Sequence, residues 1–101
     1  MTLVVEGRPV LGMLDTGADL SVINAEQWAP SWTLETLSLT VAGVGDQIAR
    51  KAARHLTWNY ANQTGLFRPL RIAGLSSALW GRDVLEQMQV HLVTPEHMAK
   101  N

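Results

Sequence analysis

Apolar and polar positions along the chain alternate in short runs of period two, broken by glycine, proline and small polar residues, which is the pattern of many short strands. Thr2-Leu3-Val4-Val5-Glu6 meets a tight turn at Gly7-Arg8 and returns as Pro9-Val10-Leu11-Gly12-Met13-Leu14, so the chain opens with a β-hairpin. Leu20 to Asn24 continues the sheet, and Ala25-Glu26-Gln27-Trp28 suits a single helical turn that Pro30 stops. Leu37 to Val41 alternates cleanly and Ile48 stands on a returning arm, with Gly43-Val44-Gly45 between them as the tip of a hairpin. Leu66 to Ile72 reads as a further strand, in which Pro69 predicts an edge or a bulge. Val84, Leu85 and Met88 fall at helical spacing, which predicts one helix over Arg82 to Met88; Val90 to Val93 can form a last strand before Pro95. The whole is expected to be one all-β domain over residues 1–101, with a single short C-terminal helix.

Composition narrows this picture. At 101 residues, 47% apolar and 17% charged, the chain is globular in character, with a modest core. Its net charge of −1 gives no broad attraction to nucleic acid or to an anionic membrane, and neither is expected as a partner. Arg50, Lys51, Arg54 and His55 form a basic cluster without interleaved aromatics, best read as a solvated strand face. There are no cysteines, hence no disulfide and no thiolate metal site. His55, His91 and His97 lack the spacing of a zinc motif, and no metal or cofactor is expected. No Gly-x-Ser-x-Gly elbow supports a serine nucleophile. Trp28 and Trp32, flanking Pro30, are expected to cover one end of the core. Asn62-Gln63-Thr64 matches a glycosylation sequon but reads more simply as a turn with Gly65.

The chemistry concentrates at Leu14-Asp15-Thr16-Gly17-Ala18-Asp19, where an acid, a hydroxyl and a glycine follow directly on an apolar strand. Alone, Asp-Thr-Gly is an ordinary turn, with Asp accepting local backbone hydrogen bonds. Here it is followed by the glycine-tipped hairpin and, much later, by Ala78-Leu79-Trp80-Gly81-Arg82-Asp83-Val84-Leu85, an apolar run entering Gly-Arg-Asp and a helix.

These three motifs in this order resemble a retroviral aspartic protease, a retropepsin, most closely of the betaretroviral or endogenous-retrovirus type, and the resemblance covers nearly the whole chain. It implies a retropepsin-like closed β-barrel or sandwich with a flap hairpin and one short C-terminal helix. It implies an aspartic endopeptidase, active as a homodimer, that processes a viral or virus-derived polyprotein in the virion or the host cytoplasm. Two carboxyls sharing a proton are required for that chemistry; with one Asp-Thr-Gly in the chain, Asp15 from each of two subunits supplies them, with a mildly acidic optimum.

By the same resemblance Asp15, Thr16 and Gly17 are the catalytic residues, with the Thr16 hydroxyls bracing the two loops and Gly17 approaching the dyad. Ala18, Asp19, Leu20, Gly43, Val44, Gly45, Ile48 and Leu79 bind substrate, and Asp19 pairs with Arg82 near the dimer contact. An apolar cleft of this kind prefers extended peptides with large apolar side chains at the cut bond. Family members usually carry an N-terminal strand upstream of the position of Thr2 that interleaves at the dimer, and the chain is expected to lack it. A second reading therefore stands beside the protease: a monomeric or inactive retropepsin-like module that binds peptides or proteins.

Overall fold

A computed structural model describes residues 1–41 and 47–89, and within them the chain is nearly all β. The strands are β1 (Thr2–Val5), β2 (Arg8–Leu14), β3 (Val22–Asn24), β4 (Leu34–Val41), β5 (Gln47–Ala52), β6 (Leu56–Tyr60), β7 (Gln63–Phe67), β8 (Leu70–Ile72) and β9 (Ala78–Trp80). A 3-10 turn at Ala25–Gln27 follows β3, and one helix, α1 (Arg82–Leu85), follows β9. The expected flap tip at Gly43, Val44 and Gly45, the expected strand Val90 to Val93 and the tail from Pro95 lie outside the described residues.

The strands pair in the order β4-β5-β8-β3-β9-β2-β1-β6-β7. Helix α1 contacts both β9 and β7, which stand four places apart in that order, so the sheet curls round on itself. Alternation decides which way each strand faces. In the opening hairpin Leu3, Val5 and Val10 are fully buried, whereas Thr2, Arg8, Pro9, Leu11 and Met13 are exposed. Trp58, Trp80, Leu56, Phe67, Val84 and Leu85 join them in one core; Val22, Ala49, Leu70 and Ile72 form a second, smaller one. Trp28 and Trp32 pack edge to face at 5.5 Å in the main core, as expected.

Several boundaries differ from the reading of the sequence, each for a local reason. The first turn is Glu6-Gly7, with Val5 opposite Arg8, because both turn residues take positive φ (50° and 82°) and close a two-residue loop matched to strand twist. The β6–β7 hairpin turns at Ala61-Asn62, so Gln63 to Gly65 belong to β7 and not to the turn. Gly65 is a strand residue whose missing side chain leaves room for the Trp58 ring and the Gln87 amide, which a Cβ would meet at 2.7 and 2.1 Å. The strand expected from Leu66 to Ile72 is broken at Arg68-Pro69 into β7 and β8, which lie at different places in the sheet; proline ends the first pairing instead of bulging it. β3 begins at Val22 rather than Leu20, and α1 ends at Leu85, with turns carrying the chain to Gln89.

Candidate active site

β2 and β9 run side by side in parallel, with Met13 opposite Leu79 and Leu14 opposite Trp80. The loop that carries Asp15 leaves this pair, and the Asp15 N–H continues the ladder by donating to the Trp80 carbonyl at 2.9 Å. The chain then turns sharply. The Ala18 N–H donates to the Asp15 carbonyl at 3.1 Å, and the Gly17 N–H donates to Asp15 Oδ1 at 3.1 Å, so the carboxylate is oriented by its own turn. Asp15 is half-buried, and Thr16 and Gly17 are exposed.

The loop is gripped from behind by the start of α1. The first N–H groups of a helix have no partner within it, and here two of them are satisfied by loop carbonyls: Arg82 N–H donates to Ala18 at 2.8 Å and Asp83 N–H to Asp19 at 3.2 Å. Gly81 stands where this approach is tightest, since a Cβ there would lie 2.8 Å from the Leu20 carbonyl and 2.9 Å from that of Ala18. Its φ of −92° is open to any residue, so space, not backbone freedom, requires glycine.

The Asp83 carboxylate reaches further. It accepts the Ser21 N–H at 3.0 and 3.1 Å and the Ser21 hydroxyl at 2.7 Å, and the Ser21 oxygen accepts the Gly81 N–H at 2.9 Å. Ser21 is fully buried, and its carbonyl accepts the Leu70 N–H at 3.0 Å. The chain leaving the Asp15 loop is thereby tied through Ser21 to the Asp83 carboxylate and to the Gly81 N–H at the start of α1. The sequence reading gave no role to Ser21 or Asp83. The available signal was a hydroxyl at a buried position of the apolar run Leu20-Ser21-Val22-Ile23, which needs a partner.

Asp19 and Arg82 form an ion pair at the edge of the loop, where both side chains are largely exposed. Leu20 and Leu79 are partly buried and pack together with the smaller core around Val22 and Leu70, so the loop, β3 and β9 share one apolar wall. Ile48 lies on β5 opposite Thr40, and its side chain is outside the description. Leu11, Met13 and Leu14, on the strand that leads into Asp15, leave 59%, 63% and 53% of their surface exposed. Nothing in the alternation pattern singled out these three, because strand periodicity tells inward from outward and says nothing of what covers the outward face.

Comparison with known proteins agrees with this arrangement. Residues 1–93 match the family model described as retroviral aspartyl protease. The chain is 34% identical over 101 residues to the Gag-Pro polyprotein of Mason-Pfizer monkey virus and 38% identical over 102 residues to that of simian retrovirus SRV-2, with 98% of the chain covered in each case. It is 33% identical over 89 residues to a Gag-Pro polyprotein of mouse mammary tumor virus, covering 87% of the chain. These relatives are much longer: the chain spans 11%, 11% and 10% of them. Among solved structures, an EIAV protease complexed with the inhibitor HBY-793 matches with a TM-score of 0.70 at 21% identity, over 93% of this chain and 90% of that one, which bears out the expected fold. On the family model and the shared length with the Gag-Pro polyproteins, the chain belongs to the retroviral aspartyl protease family.

Proposed function

We propose that the chain is an aspartic endopeptidase that works as a homodimer, hydrolysing peptide bonds of a viral or virus-derived polyprotein with a water activated between two Asp15 carboxyls. The observation that carries this reading is the state of the three acids around the loop. Asp19 is engaged by Arg82 and Asp83 by Ser21, which leaves Asp15 as the acid of this group without a cationic or hydroxyl partner among the described residues. Acid-base hydrolysis requires a second carboxyl beside it, one group taking a proton from water while the other donates to the substrate carbonyl oxygen. A second copy of the chain supplies it on a two-fold axis, where a residue meets its own counterpart.

The exposed Leu11, Met13 and Leu14 support that assembly, since apolar side chains on the strand entering the catalytic loop are the ones an axis close to Asp15 would cover. In this reading Thr16 braces the paired loops and Gly17 brings backbone close to the dyad. Ala18, Asp19, Leu20 and Leu79, with Ile48 and Gly43-Val44-Gly45 of the β4–β5 hairpin, hold an extended substrate. The relatives are Gag-Pro polyproteins, so the protein acts within such a precursor, in the virion or the host cytoplasm.

The test is cleavage of an apolar-junction peptide at mildly acidic pH over a wide range of enzyme concentration, with Asp15→Asn alongside. Specific activity that rises with concentration, together with a dead but folded Asp15→Asn, is the expected result. Retained cleavage by Asp15→Asn sinks the aspartyl mechanism, and specific activity independent of concentration down to the lowest measurable level in a protein that sediments as a monomer sinks the dimer.

A further inference from the structure

At the base of the β4–β5 hairpin lies a cavity of about 580 Å³ that none of the Asp15 loop residues line. Its walls include Trp28, Pro30, Trp32, Leu34, Arg50 and Arg71, and among the described residues none that lines it is acidic. A volume of this size is within the range of sites that hold a small ligand or a few residues of peptide.

The two arginines are direct cross-strand partners, Arg50 on β5 facing Arg71 on β8 in an antiparallel pair. Like charges placed opposite one another on one sheet face repel. Nearby protein groups relieve this only in part. Arg50 directs Nε and one terminal nitrogen onto the Glu35 backbone carbonyl, while the Glu35 carboxylate is engaged by Arg68. Arg71 makes no hydrogen bond or ion pair among the described residues. Two half-buried arginines thus line a cavity whose other walls are apolar apart from Thr33, an arrangement complementary to an anion with an apolar neighbour.

The walls also discriminate between kinds of anion. Trp28 and Trp32 are 8% and 3% exposed and pack edge to face on each other, with the Trp28 indole N–H spent on the Trp32 carbonyl. Neither presents an open ring face on which a nucleic-acid base could stack, whereas their edges, Pro30 and Leu34 can receive an aliphatic or aromatic side chain. Leu34 opens β4, which stands at the outer end of the order of the described strands, so an extended segment can lie along it.

We propose that this cavity binds an acidic peptide segment, with a carboxylate between Arg50 and Arg71 and the adjoining apolar side chain against Trp28, Pro30 and Leu34. The source of that segment rests on the protease reading above: it is a stretch of the polyprotein outside the cut junction, held at the root of the hairpin. The binding itself is independent of catalysis.

The experiment uses the full chain carrying Asp15→Asn, titrated with acetyl-Gly-Phe-Glu-Glu-Gly-amide and followed by NMR at the Arg50 and Arg71 Nε–H and the Trp28 and Trp32 indole N–H signals. Saturable shifts of these signals are expected, weakened by added salt and absent with the Gln-for-Glu peptide. Arg71→Gln should weaken binding by about tenfold, the loss of one charge-assisted contact, and Arg71→Lys by less. No shift at millimolar peptide, equal shifts with the Gln peptide, or unchanged affinity in Arg71→Gln overturns the proposal. So does an oligothymidylate that moves the same signals at lower concentration than the peptide. If the wild-type chain cuts nothing yet the acidic peptide binds here, the protease reading fails and this site stands; if it cuts and no shift is seen, this site alone fails.

Discussion

Asp83→Ala tests the claim that one half-buried carboxylate ties the chain leaving the Asp15 loop to the start of α1. The substitution removes the acceptor of the Ser21 N–H and of the Ser21 hydroxyl, both belonging to a residue with no exposed surface. Val84 N–H also loses its bond to Asp83 but keeps the Gly81 carbonyl at 3.2 Å, so two donors are stranded rather than three. At about 1–3 kcal/mol for each buried donor without a partner, the expected loss for two is roughly 2–6 kcal/mol. For a domain whose total stability is about 5–15 kcal/mol this is a large fraction, and it lowers Tm by at least about 8 °C.

Asp83→Asn keeps one acceptor oxygen but turns an amide NH2 toward the remaining donor, so it should cost less than the alanine. Ser21→Ala strands the Gly81 N–H, which donates to the Ser21 hydroxyl. Because Ser21 and Asp83 share bonds, the double variant should fall short of the sum of the singles by about 1 kcal/mol or more. The assay is urea unfolding followed by tryptophan fluorescence, with protein concentration held fixed so that any self-association contributes equally. A loss below about 0.5 kcal/mol in Asp83→Ala, the scale of an ordinary surface change, would refute the argument, as would additivity of the two singles.

Gly81→Ala places a Cβ within 2.8–2.9 Å of the Leu20 and Ala18 backbone, so it should destabilise by about 1–3 kcal/mol and lower cleavage more than Gly7→Ala, whose Cβ meets nothing within 4 Å and whose strain, from a φ of 82°, is confined to the first turn away from Asp15; equal activity in the two variants would contradict the packing account. Gln87→Ala removes the side chain that bonds both Leu66 backbone groups and the Trp58 indole, loosening α1 from β7, and hydrogen exchange at Leu66 N–H should rise well above that at Leu3 N–H. Arg82→Ala breaks an ion pair whose partners are 49% and 83% exposed, so its effect on urea stability should stay below about 1 kcal/mol, and a larger loss would show the pair to be a structural support. Glu6 has its carboxyl held below the ordinary value of 4.5 by the Thr57 N–H and the Arg54 guanidinium, so the small stability it adds is present above that value and fades as pH falls through the lower folded one; Glu6→Gln should flatten the acid limb of the stability curve.

What could be read from the chain, and what could not, divides along the range of the interaction. Strand alternation and the positions of Gly7, Pro30 and Pro69 report on neighbours two or three residues away; they located β1, β2 and β3 to within two residues, started β4 three residues late, read β7 and β8 as one strand and did not mark β6. The pairings that build the site span most of the chain: Leu14 with Trp80, Ala18 with Arg82, Ser21 with Asp83. No local periodicity encodes these. The order Asp-Thr-Gly, glycine hairpin, Gly-Arg-Asp was legible only because the motifs occur together, and it anticipated the Asp19–Arg82 pair without showing why glycine must stand at position 81 or serine at position 21. The structure supplies that reason, since a four-residue helix is too short to be stable alone. It persists because the loop carbonyls take its first N–H groups while its Val84 and Leu85 are buried beneath the curled sheet. The dependence runs in both directions. The loop that presents Asp15 is held by a helix that is stable only when the loop is in place, so formation of α1 and geometry at the acid are coupled. Substitutions at Gly81 or Asp83 should therefore lower activity and stability together, whereas Asp15→Asn separates them.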